Sequence, residues 1–406
     1  MSSVRAVPFL RPMMGRETHE HGRVATPLEL LFDLVFVVAI ASNAAELHHG
    51  FSYGHPETAV GFTMTFFAIW WAWMNYTWFA SAYDNDDVVF RLLSFVIMTG
   101  ALFLAAGVPD IFADGQSVTV VVGYAIMRLG MVGLWLRAGL GHPERRTTAF
   151  GYAIGIALVQ VLWIARLWWP MEWAVPSFAA LVALELLVPI LAERRGGSTP
   201  FHPHHISERY GLLTIIVLGE VLLSTVQAIQ GAFSPSEGEP VSLAAISPLI
   251  AGGLLIVFAL WWLYFQRETH DILARPQQVW LFGYSHLVIF ASIAAAGAIL
   301  ASGVDLIAHH AKTDDRTLLV ALAIALVGVA LTTAGIHALA AESWTVALPA
   351  LVSSAAMLAI AFSGLSVGYG ALLMGIVLAL AAVEHVWASS RDSGAHSSMV
   401  VTSPSS

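Results

Sequence analysis

Apolar residues in this chain run on for about twenty positions at a time, then stop at short turn-forming stretches such as Tyr53–Gly54–His55–Pro56, Gly141–His142–Pro143 and Ser234–Pro235–Ser236. Runs of that length match a helix crossing roughly 30 Å of hydrocarbon. They predict twelve spans, at 27–47, 59–80, 88–107, 117–139, 147–167, 174–192, 208–230, 243–265, 278–301, 317–340, 344–363 and 366–388. The predicted class is all-α, a polytopic transmembrane helix bundle of two parallel six-helix halves. Its expected organisation is an N-terminal segment (1–26), a first half (27–192), a linker (193–207), a second half (208–388) and a Ser-rich tail (389–406) read as disordered.

Composition agrees with a lipid-facing surface. Of 406 residues, 58% are apolar and 11% charged, and the mean hydropathy is +0.75. Water-facing domains carry roughly 25% charged residues. Cysteine is absent, which removes disulfides and thiolate chemistry. The net charge of −9 comes without a basic patch, so the expected partners are the bilayer and a small solute or cation, with no nucleic acid. No nucleotide loop, Gly-x-Ser-x-Gly elbow or His-Glu-x-x-His is present, and no cofactor is predicted. Prolines and arginines interrupt residues 1–25, which therefore lack a signal-peptide core.

Basic residues set the expected orientation. With the N-terminus in the cytoplasm, fourteen arginines fall on that side, while Arg166, Lys312 and Arg316 fall opposite. Both termini are then cytoplasmic in a cell membrane. The halves also echo each other. Ser94 follows Trp70–Trp71, and Ser285 follows Trp261–Trp262, each 23 residues after the second tryptophan. Glu29 and Glu208 each sit in the first turn of a predicted span. An even number of spans per half makes this a parallel repeat, of the kind that places a pathway between halves.

Ionisable groups inside spans are the candidate chemistry, because each costs at least ~2.5–3.5 kcal/mol to insert. Glu29, Asp33 and Asn43 share an arc of about 80° on the first span. Thr26–Pro27–Leu28–Glu29 reads as a capping box, a structural role for Glu29, whereas Asp33 lies about 9 Å in, too deep to cap. Arg128 sits near mid-membrane and needs an acid. Glu185 lies at similar depth and Asp33 about 5 Å nearer the cytoplasm, so either can serve. Glu220 shares a helical face with Arg209, and its neighbour Gly219 suits close helix approach. His286 is a proton-exchange candidate or a hydrogen-bonding strut. Asp33, Glu185, Glu220, Arg128 and His286 together count three acids to one fixed cation, a lining suited to cations. His204, His205 and Glu208 have spacings that can share a metal, but Pro203 and the lack of Cys favour a hydrated cluster. Most of the tryptophans suit interfacial belts.

Two stretches carry a family resemblance. Thr26-Pro-Leu-Glu-Leu-Leu-Phe-Asp-Leu-Val-Phe-Val38, with Glu29 and Phe32, resembles the opening helix of the bacterial low-temperature-requirement A family. His205-Ile-Ser-Glu-Arg-Tyr-Gly-Leu-Leu-Thr-Ile-Ile-Val-Leu-Gly-Glu220, with Glu208, Arg209, Gly211 and Gly219, is similar to its second signature. Leu31 and Tyr210 stand where Phe is frequent in that family. The resemblance implies a fold and a membrane location, not a mechanism. A weaker likeness links Phe32–Asp33 to a family of two-repeat potassium channels with a Phe-Ser-Asp motif, although the Ser is missing here. The expected function is a secondary transporter, proton-coupled, for a small cationic or neutral solute. A cation channel and a membrane-embedded lipid enzyme are the alternatives.

Topology is directly testable. Reporter fusions after residues 55 and 237 are expected to report outside, and fusions after 200 and 391 inside. A cytoplasmic signal at 237 would overturn the orientation and the parallel repeat together.

Overall fold

The computed structural model describes residues 8–400 except 19, 21, 234–240, 267–269, 274 and 341–342. Among the described residues all regular structure is helical. The α-helices are α1 (Pro27–Ser52), α2 (Thr58–Tyr83), α3 (Val88–Asp114), α4 (Val118–Gly141), α5 (Arg146–Ala165), α6 (Ala174–Gly196), α7 (Pro203–Ala232), α8 (Leu243–Phe265), the one-turn α9 (His270–Leu273), α10 (Pro276–Ile307), α11 (Asp315–Ala340), α12 (Leu348–Ala361) and α13 (Val367–Val400). Local chemistry starts and stops them. Asp87 and Ser117 cap α3 and α4 by accepting the N–H groups of Phe90 and Val120, and Gly115 ends α3 at φ 74°.

Among the described residues, ten helical stretches are long and apolar enough to cross a membrane, and the chain is a multi-pass membrane protein. Two of the twelve expected spans fall outside that set. Helix α12 has 14 residues, about 21 Å, too short for the hydrocarbon by itself. Helix α2 is long enough at 26 residues, but Trp, Tyr, Asn, Thr and Ser lower its hydropathy. It is buried on nearly every side, from Phe62 to Tyr83, and so has little lipid to face. This also corrects the aromatic-belt expectation: Trp70, Trp71 and Trp73 are core residues, whereas Trp168, Trp169, Trp261 and Trp262 are exposed. The two tryptophan pairs that suggested a repeat thus have different surroundings. At the other end, α13 continues through the Ser-rich stretch to Val400, past residue 389 where disorder was expected. Extending an established helix costs far less than starting one, and no proline intervenes before Pro404.

The chain divides into two compact units, residues 1–46 with 57–216 and residues 47–56 with 217–406. In the first unit α3 and α4 pack backbone to backbone. A Cβ on Gly123 would collide with the Leu104 N and Gly100 O atoms, so glycine is needed there. In the second unit Gly252 of α8 lies equally close to the Ala371–Leu372 backbone of α13. Gly219 has no such role: nothing lies within 4 Å of where its Cβ would be, so the expected close approach is not made there.

The described residues between 8 and 25 lie along the face of the first unit where α1 begins, the near face. Val88 N–H bonds to Pro8 O, Arg16 N–H to Ala82 O and Arg11 N–H to Asp87, and Met13 is buried. This segment covers the α2–α3 turn and buries Asp84, whose Oδ1 accepts the Asp86 N–H. Burial, with the Glu29 carboxylate nearby, pushes the Asp84 carboxyl up to about 6, against the opposing pull of the Asp86 N–H, Arg23 and Arg16. A carboxyl raised on folding stabilises the fold at pH values below its unfolded pKa, and this contribution is lost as pH rises through about 6. Asp84→Asn keeps the acceptor and removes the charge. The variant is expected to be more stable than wild type at neutral pH by up to about 3 kcal/mol, read as a higher unfolding temperature, and to converge with it near pH ~4. Equal stability across that range would contradict the assignment.

Candidate functional site

Two buried charge centres lie on either side of α2 in the first unit. The first is built on α1 and α7. Thr26 and Glu29 form the expected capping box, with Thr26 N–H donating to Glu29 Oε2 at 2.8 Å and Glu29 N–H to Thr26 Oγ1 at 3.3 Å. The cap is only part of what Glu29 does. Its Oε1 lies 3.1 Å from Arg209 Nη1, 3.1 Å from His205 Nε2 and 3.8 Å from Arg23 Nη2. One helical turn further, Asp33 takes Arg209 in a two-point contact, Nη2 to Oδ1 at 2.5 Å and Nε to Oδ2 at 3.2 Å. Trp73 of α2 donates its indole N–H to the same Oδ1 at 2.7 Å. Glu29, Asp33, His205 and Arg209 are all fully buried. Phe32, between the two acids, stacks on Tyr76 of α2 at 3.8 Å and helps exclude water.

The second centre joins α4, α5 and α6. Arg128 Nη2 reaches Glu185 Oε1 at 3.3 Å and also donates to the Tyr124 hydroxyl, whose ring lies under the guanidinium at 4.5 Å. The Tyr124 hydroxyl in turn donates a hydrogen bond to Glu185 Oε1 at 3.0 Å, and the indoles of Trp71 and Trp163 donate to Glu185 at 2.9 and 3.2 Å. Trp71 and Trp73 are two residues apart on α2, so they point to opposite sides of the helix, one to each centre. A cavity of about 70 Å³ lies beside the second centre, lined by Tyr124, Trp163, Phe178, Thr65, Val120 and Arg166 among others. It is on the far-face side of the first unit, by the α3–α4 and α5–α6 turns.

Of the two acids that sequence offered to Arg128, the structure chooses Glu185; Asp33 belongs to Arg209. Sequence marks Arg209 only as a motif residue on the polar face of α7. The available signal was two acids one turn apart on α1, which together call for a cation from another helix. With Arg209 and Arg23 included, the expected excess of acid disappears from the two centres, because Glu29, Asp33 and Glu185 each have a guanidinium within 4 Å. Glu220 stands apart in the second unit, half-buried and without an ion pair among the described residues. His286, in the same unit, is buried between Tyr264 Oη at 2.9 Å and Phe282 O at 2.7 Å. Asn43 is buried and donates to Phe62 O, and Gly211 is buried on α7. The metal spacing of His204, His205 and Glu208 does not converge. His205 turns to Glu29, while Glu208 accepts the Ala25 N–H at 3.1 Å; no group of three or more His, Cys, Asp or Glu able to hold a metal occurs among the described residues.

Residues 24–383 match the family described as bacterial low temperature requirement A protein, a span that includes both charge centres and nearly every helix. The chain belongs to that family. It is also 29% identical over 296 residues to an uncharacterized protein of Rhizobium meliloti (strain 1021), covering 69% of each. No solved structure matches. In this member of the low temperature requirement A family, the two motif stretches thus have a physical reading. They bring Glu29 and Asp33 of α1 against His205 and Arg209 of α7.

Removing one partner of a buried pair strands the other, at a cost of about 3–5 kcal/mol. Arg128→Met is therefore expected to lower the unfolding temperature in detergent, and the further change Glu185→Gln to recover most of the loss. Adding Asp33→Asn instead should recover nothing. Rescue by Asp33→Asn alone would refute the pairing.

Proposed function

We propose that this low temperature requirement A protein is a secondary transporter, coupled to protons, whose cargo crosses without net charge. One observation carries the reading. A carboxylate–guanidinium pair at about mid-membrane, Glu185 with Arg128, is separated by Tyr124 and Trp163 from a cavity on the far-face side. Helix fastening alone is a poor reason for such a pair, since well-packed apolar residues hold helices as well or better. Ionisable groups at this depth are the usual mark of a solute or proton path. Glu185 is the proton carrier in this reading, and the Asp33–Arg209 centre closes the path on the near face, which the arginine distribution assigns to the cytoplasm.

Charge balance favours one solute class. A cationic cargo, or a cation channel, calls for a lining with surplus acid, whereas Glu29, Asp33 and Glu185 are each matched by a guanidinium. A neutral cargo, or one that travels with its compensating proton, fits. The lipid-enzyme alternative loses its candidate region, since His205 and Glu208 face different partners. Glu220 remains the carboxylate in the second unit best suited to a further proton step.

Purified protein in liposomes loaded with a pH-sensitive dye provides the test. An imposed pH gradient with a panel of small solutes is expected to drive solute-dependent proton movement. Glu185→Gln and Asp33→Asn, at normal protein levels, should abolish it. Unchanged proton and solute fluxes in both variants would reduce the two centres to structural fastenings.

A further inference from the structure

The Arg128–Glu185 centre has more hydrogen-bonding capacity than its neighbours use. Nε and Nη1 of Arg128 are buried without a partner among the described residues, and so are both polar side-chain atoms of Gln160 on α5. The ring contacts Tyr124–Trp163 and Trp135–Tyr152 fix the antiparallel register of α4 and α5. That register sets Gln160 level with Met127 and Arg128. A buried polar atom left unmet is costly, and the two open guanidinium donors call for an acceptor from outside the chain.

The chemistry of that group follows from the donors. A guanidinium keeps its charge at any relevant pH, and its two fork edges both include Nη2, with Nε or Nη1 as the second donor. Glu185 occupies Nη2 through a single oxygen at 3.3 Å and leaves the second donor of each edge open. A planar carboxylate fits either edge. Among the residues lining the adjacent cavity, Arg166 alone carries a charge, and it is tethered by Nε to Ser177 Oγ at 3.0 Å and by Nη2 to Ala174 O at 2.9 Å. Ile111, Val120, Val121 and Phe178 supply apolar walls, and the small volume limits the body of a ligand to a few carbon atoms.

We propose that this cavity and Arg128 form a binding site for a small monocarboxylate with an apolar body, received by the guanidinium as Glu185 takes up a proton from the far-face water. Glu185 is the resident carboxylate, and the ligand exchanges with it. Two carboxylates on one guanidinium would leave surplus negative charge in a dry site; protonating Glu185 restores balance. Every group facing Glu185 is a donor: Arg128 and Tyr124 on α4 are the charged and titratable ones, and α2 and α5 present the indoles of Trp71 and Trp163. Once the ligand takes the guanidinium, the Tyr124 hydroxyl is the group able to accept the hydrogen of a protonated Glu185. Tyr124 and Trp163 contact both the cavity and Glu185, so they are the partition the ligand must pass. The proposal rests on the transporter reading only for its place in the path, and binding is measured by itself.

The test is calorimetric titration of the purified full chain in lipid nanodiscs with butanoate, and with butanamide as its uncharged counterpart. Butanoate is expected to bind roughly tenfold or more tightly than butanamide, the difference a guanidinium–carboxylate contact confers. Affinity should rise from about pH 7.5 to about 5.5, with uptake of about one proton per butanoate, read from buffers of different ionisation enthalpy. Glu185→Gln imitates the protonated acid and should bind butanoate about tenfold more tightly at neutral pH, with its pH dependence gone. Arg166→Gln should weaken butanoate binding more than butanamide binding. Equal affinity for acid and amide, or butanoate binding without proton uptake in the wild-type protein, would overturn the proposal with no variant needed. Butanoate binding without any transport would refute the transporter reading and leave this site standing. Proton-driven uptake of another solute without butanoate binding would do the reverse.

Discussion

A guanidinium that cannot reach water must be neutralised where it stands, and the first unit is arranged around two such groups. Arg128 and Arg209 are both essentially unexposed. Each is matched by acid from another helix, Arg209 by Glu29 and Asp33 of α1, Arg128 by Glu185 of α6. Asp33 and Glu185 are each in turn held by an indole from α2. Burying these charges is expensive, and the compensation works only if four helices keep their rotation and depth to within a hydrogen bond. The aromatic character of α2 follows from this duty. A helix that must donate indole N–H groups in two directions, and stack Tyr76 on Phe32, has to be rich in Trp and Tyr and shielded from lipid.

The two centres differ in composition and in what lies beside them. Around Arg209, two carboxylates, a histidine and a second arginine gather at the N-terminal cap of α1 at ion-pair distance, and Arg209 Nη1, Glu29 Oε1, His205 Nδ1 and Arg23 Nε are left without a hydrogen bond among the described residues. Around Arg128 there is one carboxylate, a tyrosine that donates to it, and two guanidinium nitrogens left over. The cavity sets the Arg128 centre apart. The two motif stretches, which sequence shows only as polar residues on apolar helices, supply the Arg209 centre.

Much of this was legible in sequence. Span lengths and charge scarcity are dictated by the bilayer, so the helical membrane architecture could be read directly, as could the Thr26–Glu29 cap and the need of Arg128 for an acid at the depth of Glu185. The partner of Asp33 was not legible, because Arg209 lies in the second turn of α7 and looks like a residue at the membrane edge. Its long side chain extends to a carboxylate about 9 Å inside α1. The role of α2 was hidden for a similar reason: tryptophan suits both interfaces and cores, and only packing decides. Gly219 reads as a packing glycine from its motif, yet faces open space, while Gly123, outside both motifs, makes the close helix contact.

Arg209 and Asp33 stabilise the fold as a pair. A double-mutant cycle of Arg209→Met and Asp33→Asn, followed by reversible unfolding in lipid nanodiscs, measures that coupling. Each single change is expected to destabilise, and the double variant to be more stable than their sum implies, by about 2 kcal/mol or more. Additivity within about 0.5 kcal/mol would show that the two residues act independently and that the pair does not hold the fold.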